Sequence, residues 1–298
     1  MADDLVVSIV LNWNNFPDTR DCVDSLLDLS YNNHDILIVD NGSDDDSLNK
    51  LRQSFDQVEF VELTTNCGFS GGMNAGISLA MERDAEYVWL LNNDTIVHDP
   101  AVLTKLLSNF DASSVGGVTP QVLEYPNTEQ PWFTRGEVDW DSGHSIHHKT
   151  IPSTSEDTIQ NDYIPFCSAL IKTEVFKNYG LLPDEYFIYR EDVAFAYLIR
   201  RDYQLLTDLR CSICHKSSNN TGGDLNRTLT YYTSRNRWLL YNEYADEMNL
   251  SRFLWQYMKW SLRQSVMIAK ETKFNSMLAL VQGTIDGILN KQGKRRYP

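Results

Sequence analysis

Positive charge is what this chain is short of. Its 26 Lys and Arg stand against 41 Asp and Glu, a formal balance of −15 at pH 7. So acidic a surface disfavours general nucleic-acid binding. It aids solubility and says little about fold. It would suit a salt-rich cytoplasm, where molar KCl should stabilise the chain. Long apolar runs are also missing: none reaches the roughly 18 residues that a membrane-spanning helix needs. Cysteine is sparse and odd in number, five in 298 residues. The acidic opening residues 1–4 do not read as a signal peptide. Reduced thiols in a cytoplasm are therefore expected. Two nucleotide fingerprints are absent as well. Gly68, Gly71, Gly72 and Gly76 do not make G-x-G-x-x-G, and no Walker lysine follows. A dinucleotide or P-loop site is disfavoured.

What is present begins with residues 86–95, Glu-Tyr-Val-Trp-Leu-Leu-Asn-Asn-Asp-Thr. A short apolar run that ends in polar residues reads as a buried strand. It delivers Asn92, Asn93 and Asp94 to its carboxyl end, the edge where open α/β sheets bind ligands. A carboxylate beside two amides suits a hard divalent cation that grips a diphosphate; a plain turn is the competing reading. Residues 5–11, 36–39 and 58–63 read as three earlier strands, each followed by a helix. The first of these helices is expected to be capped by Asp18 or Thr19. Strand and helix thus alternate four times in the first hundred residues, which implies a parallel sheet covered by helices. Right-handed crossovers bring the strand ends with Asn12, Asp40 and Asp94 to one edge. Glycines in residues 66–76 either let a phosphate approach backbone N–H groups or allow tight packing.

Farther on, residues 124–162 show little periodicity and read as an irregular binding loop. Its His144, His147 and His148 read as exposed loop histidines rather than metal ligands. Residues 184–201 form an aromatic loop ending in Glu191 and Asp192 at a helix start. A carboxylate there caps the helix or takes a proton from an attacking hydroxyl. The pattern Cys211-Ser212-Ile213-Cys214-His215 matches haem attachment, but in a strand its two cysteines face opposite ways. His215 is better placed as a second metal ligand near Asp94. From residue 226 the chain turns helical, basic and aromatic, with Lys259, Arg263 and Lys270 among Trp260, Met258 and Leu262. That composition suits either helices packed on the sheet or an anionic membrane surface.

These motifs occur in one order: Ser8 to Asn14, Ile38 to Ser43, Asn66 to Gly76, Leu91 to Thr95, Phe187 to Asp192, His215, then Tyr231-Tyr232 with Arg235-Asn236. In that order the chain resembles the family 2 glycosyltransferases of the GT-A fold, most closely the branch with rhamnosyl- and galactofuranosyltransferases. The resemblance implies an α/β GT-A domain over residues 1–225, with a mostly parallel central sheet. A C-terminal helical region over residues 226–298 would pack on it. It implies inverting transfer from a UDP- or dTDP-sugar to a hydroxyl of a glycan or lipid-linked glycan. Asp192 would be the catalytic base, beside Glu191. Asn12, Trp13, Asp40, Gly68, Gly71, Gly72, Asn92 and Asn93 would hold the nucleotide sugar, with Asp40 on the base. Asp94 and His215 would ligate Mg²⁺ or Mn²⁺, and Arg200 or Arg201 would support the base helix or the phosphates. Asn92 replaces the first carboxylate of the family's D-x-D motif, which lowers the charge offered to a metal. The acceptors usual in the family fit a cytoplasmic protein peripheral at the inner membrane face, with no nucleic acid involved.

Two other classes remain open at the level of sequence. A sugar-phosphate nucleotidyltransferase would share the α/β half and metal, but residues 5–17 lack the Gly-rich loop with Arg and Lys that it would carry. A non-catalytic nucleotide-sugar binder would have no use for Asp94, Asp192 and His215 together.

Overall fold

The computed structural model describes residues 4–151, 155–216, 226–271 and 273–297. Strand and helix alternate as β1 (Val6–Asn12), α1 (Phe16–Leu27), β2 (His34–Asp40), α2 (Ser47–Ser54), β3 (Glu59–Glu62), α3 (Gly68–Glu82) and β4 (Tyr87–Asn92). Then follow β5 (Thr95–Ile96), α4 (Val102–Leu107), β6 (Val115–Glu124), β7 (Pro131–Phe133), β8 (Arg135–Asp139), β9 (His144–His148), β10 (Thr158–Asn161) and β11 (Ser168–Lys172). The chain closes with α5 (Thr173–Tyr179), α6 (Glu191–Ile199), β12 (Gln204–His215), α7 (Arg227–Glu243), α8 (Leu250–Lys270) and α9 (Phe274–Ile288).

The main sheet runs β10-β12-β6-β11-β4-β1-β2-β3. Strands β3, β2, β1 and β4 are parallel. Antiparallel β11 lies between β4 and β6, and β12 is parallel to β6. The carboxyl ends of β1, β2, β4 and β12 therefore share one edge. Val6, Val7, Ile9 and Val10 of β1 and Val88 to Leu91 of β4 are buried. Helices cover both faces of this half of the sheet, which is why these strands read as continuous apolar runs.

Three expectations need correction. The first helix is capped by Asn15, whose side chain accepts from Asp18 N, with Pro17 in its first turn. Thr19 instead turns its hydroxyl to Asn12 Oδ1. Residues 124–162 are not irregular: they hold β7, the β8–β9 hairpin and β10. The hairpin is a separate two-stranded sheet of half-exposed polar residues, which leaves no apolar alternation to read. His144, His147 and His148 lie on β9 and are partly buried. The expected boundary at 225/226 touches residues 217–225, outside the described residues, as are residues 1–3. Among the described residues, no helix is long and apolar enough to cross a membrane.

Candidate active site

At the common edge, Asn12 links three strand ends. Its amide donates to Asp40 Oδ1 at 2.7 Å and to Ser47 Oγ at 3.1 Å. Its carbonyl accepts from Thr19 Oγ1, which in turn accepts from Asn93 Nδ2 at 2.9 Å. The Asp40 carboxylate, expected at the base, is buried at this edge and accepts from Ser43 Oγ at 2.7 Å and Ser43 N at 3.0 Å. It organises the turn after β2, whereas Trp13 stands exposed at the rim.

Pairing of β5 with β12 sets Thr95 opposite His215 and so brings Asp94 beside that ring. Lys216 N donates to the Asp94 carbonyl at 2.9 Å, and Lys216 Nζ is tied to Asp18 and Asp21 on α1. Asp94 Oδ1 lies 3.1 Å from His215 Nε2. The oxygen is buried and has no aligned hydrogen-bond donor. Asn92 Nδ2 is 3.4 Å from the same nitrogen. An orphaned carboxylate oxygen facing a ring nitrogen fits a divalent cation with mixed N and O ligands. Among the described residues no third Asp, Glu, His or Cys joins them. Most of the coordination shell would fall to phosphate and water, as Mg²⁺ prefers. Trp132 of β7 packs edge-on to His215 with centroids 4.8 Å apart, and His147 packs against the same Trp132 at 4.5 Å. Trp132 is a site residue that sequence reasoning missed, because its strand lacked a period.

Across the cleft, the loop before α6 is bent hard. Phe187, Tyr189 and Arg190 all adopt positive φ without being glycine. Each such residue costs on the order of 1–3 kcal/mol. Its carbonyls are held from α7. Asn236 Nδ2 donates to Tyr186 O, Ile188 O and Tyr189 O at 3.0, 2.8 and 2.7 Å. Arg235 Nη2 donates to Tyr186 O at 2.7 Å and Glu185 O at 3.2 Å. Both α7 side chains are fully buried. The loop delivers Glu191 and Asp192 to the first turn of α6. Burial pushes both carboxyls up, and the Asp192 charge adds to the rise at Glu191. Glu191 is the more buried, with Oε2 unpaired, while Asp192 stays partly exposed and accepts from Val193 N. Environment thus favours the proton on Glu191 over Asp192. Cys167 is buried beside β4, its carbonyl accepting from Asn92 N at 3.0 Å. Burial raises its thiol, and the charges of Asp94 and Asp192 both add.

Other expectations resolve differently. Gly68 has φ +79 and lies where a Cβ would strike Phe187 O. Gly72 and Gly76 let α3 close onto Leu11 and Ile9 of β1. The nearby N–H groups of Cys67, Gly68 and Phe69 are taken by Asn41, Asn66 and Phe187 O. The contacts of Gly68 and Gly72 are those of close packing, and Gly71 lines a groove with Cys67, Glu185, Phe187 and Lys294. Arg200 binds Tyr197 O at the end of α6 and pairs with Glu247, as does Arg201. Arg200 supports the helix; neither arginine is directed to a phosphate. Cys211 and Cys214 are free and buried.

Compared with known proteins, residues 8–180 match the model of Glycosyl transferase family 2, more than half of the chain. The low-salt glycan biosynthesis hexosyltransferase Agl10 of Haloferax volcanii is 24% identical over 99% of this chain and 94% of its own length. The mannosyltransferase PcManGT from Pyrobaculum calidifontis, solved with GDP-Man and Mn²⁺, superposes with a TM-score of 0.62 at 12% identity. That match covers 97% of this chain and 88% of the other. GalNAc-T7, solved with UDP, GalNAc and Mn²⁺, gives a TM-score of 0.64 at 15% identity, over 80% of this chain and 48% of that one. At such identities the structural likeness speaks for the fold, a GT-A fold with C-terminal helices.

Proposed function

The chain belongs to glycosyl transferase family 2, and we propose that it is an inverting enzyme acting from a UDP- or dTDP-sugar on a hydroxyl of a glycan or lipid-linked glycan. Asp192 accepts the hydroxyl proton while that oxygen attacks the anomeric carbon and the bond to the departing diphosphate breaks. Glu191 stays protonated beside it and leaves Asp192 as the charged member of the pair. Asp94 and His215 hold a divalent metal, Mg²⁺ or Mn²⁺, which when bound offsets charge on the departing diphosphate. Asn92 and Asn93 line the donor side, and the turn organised by Asp40 shapes the nucleoside end. The observation that supports this reading is the orphaned Asp94 oxygen 3.1 Å from His215 Nε2 at the carboxyl edge of the sheet, with Asp192 presented by the loop that Asn236 braces. Its direct test is Mn²⁺ binding with UDP or dTDP, followed by the electron-spin signal of bound Mn²⁺. Asp94→Asn should weaken that binding at least about tenfold, as expected for losing a charged ligand.

The same reading extends to location. Residues 250–298 hold nine Lys and Arg against Glu271 and Asp286 alone, while the preceding residues hold 17 against 39 acids. On α8, Leu254, Met258, Leu262 and Val266 recur every four residues and are exposed; on α9, Phe274, Leu278, Val281 and Ile285 recur every three or four and are exposed too. An apolar face in a basic setting suits peripheral contact with an anionic lipid surface, with residues 226–298 as the contacting unit.

A further inference from the structure

Next to the catalytic loop two guanidinium groups are withdrawn from water: Arg190, which has the charge of Asp192 beside it, and Arg237, on which no carboxylate acts. Arg190 directly precedes Glu191. Its Nη2 donates to Gly143 O at 2.6 Å and its Nη1 to Ser145 Oγ at 3.4 Å, on either side of His144. Arg190 is 8% exposed, and its Nε has no partner. Gly143 in turn backs onto Leu240 of α7, one helical turn from Arg237. Arg237 stacks over the Trp260 ring at 4.5 Å. Its Nε is also buried and unpartnered. The titratable groups that act on Arg237 are Arg190 and Tyr257, with no carboxylate among them. His144 is lowered by burial and then by the positive charge of Arg237, Arg190 and Lys259, against the charge of Asp139, and its own Nδ1 lacks a partner.

A guanidinium taken out of water without a counter-charge is costly unless an anion completes it. Arginine's planar fork matches phosphate oxygens in two bonds. Arg190 ties the cluster to Asp192, whose charge acts on it. On α8, Lys259 is exposed. We propose that Arg237, with Arg190, His144 and Lys259 around it, binds a phosphate group carried by the sugar acceptor. The assignment rests on the reading of Asp192 as the acceptor-side base. It would hold the acceptor by a fixed charge while the hydroxyl is presented to Asp192.

The test needs no sugar donor, so its failure and that of glycosyl transfer are separable. Inorganic phosphate and octyl phosphate are titrated calorimetrically into the full chain, with octyl glucoside as the neutral control. Saturable phosphate binding is expected, about tenfold weaker in Arg237→Gln, the size of one lost charge-assisted bond. Lys259→Gln, at an exposed position that tolerates change, should weaken it several-fold. Arg201→Gln, whose partner is Glu247, should leave it unaltered. Tighter binding of octyl phosphate than of phosphate assigns the group to a lipid; equal binding assigns it to a soluble phosphorylated acceptor; both sustain the site. Absence of saturable binding, or binding that survives both Arg237→Gln and Lys259→Gln in folded protein, overturns it.

Discussion

Asn236 Nδ2, on α7, donates to the backbone carbonyl of Tyr189 at 2.7 Å, across 47 residues of chain. Through this bond and its two companions, a helix outside the matched family region holds the strained turn that presents Asp192. The site is thus made jointly by the sheet edge and by α7. Removing Asn236 removes the brace without touching the carboxylate. Asn236→Ala should lower kcat by about 100-fold, the effect of misplacing a reacting group by an ångström. The donor KM should stay close to its original value. Steady-state kinetics on folded variant would show the split; equal losses in both terms would argue for general unfolding instead.

Asp192 and Glu191 make opposite predictions. Loss of a general base costs typically 100- to 10,000-fold, so Asp192→Asn should fall in that range. Glu191→Gln preserves the neutral form that burial favours and should lose less than about tenfold. Because burial raises the Asp192 carboxyl, the acid limb of kcat/KM should lie above the ordinary carboxylate value of about 3.9. Activity should rise as pH climbs through it. A large loss in Glu191→Gln, with activity kept in Asp192→Asn, would reverse the roles.

Acid stability carries a separate signature. Burial pushes His34 and His147 down to about 4. The unfolded chain binds these protons near 6.5, so stability falls as pH drops from about 6.5 to about 4. The raised pair Glu191 and Asp192 acts in the opposite sense, since there the fold holds protons more tightly than the unfolded chain. Urea midpoints measured across this window should decline toward acid, and His34→Gln should flatten the decline. A midpoint that rises toward acid would show that the carboxyl pair dominates.

Flotation with vesicles tests the α8–α9 face. Binding is expected to vesicles with anionic lipid and to drop sharply with neutral lipid or high salt, since each surface cation contributes about 1 kcal/mol. Leu262→Glu with Phe274→Glu should abolish it while leaving the melting point within a few degrees, because both residues are exposed. Equal flotation with neutral lipid would remove the electrostatic part of the reading.

Much of this was legible in the sequence where one physical signal dominated. Buried parallel strands wrote themselves as apolar runs, so β1, β2 and β4 and the edge carrying Asn12, Asp40 and Asp94 could be read directly. The stretch holding β7 to β10 was opaque because its strands are short, polar and half-exposed, which hid Trp132. The bonds of Asp40 to Ser43 were not legible, because a carboxylate at a strand end looks the same whether it faces a ligand or closes its own turn. Asn236 carries no sequence signal for its role: it recognises backbone carbonyls far away in the chain. Gly68 and Gly72 were ambiguous, since close packing and phosphate approach both require a missing Cβ, and their contacts with Phe187 and Leu11 have no signature in the sequence.

The most direct measurement is nucleoside diphosphate release from a panel of UDP- and dTDP-sugars, with Mn²⁺ or Mg²⁺, by the full chain, Asp192→Asn and Asp94→Asn. The account predicts release from one donor, slow with water and faster with acceptor, lost in Asp192→Asn, and abolished by a chelator. Turnover that persists undiminished in Asp192→Asn and Asp94→Asn would contradict it.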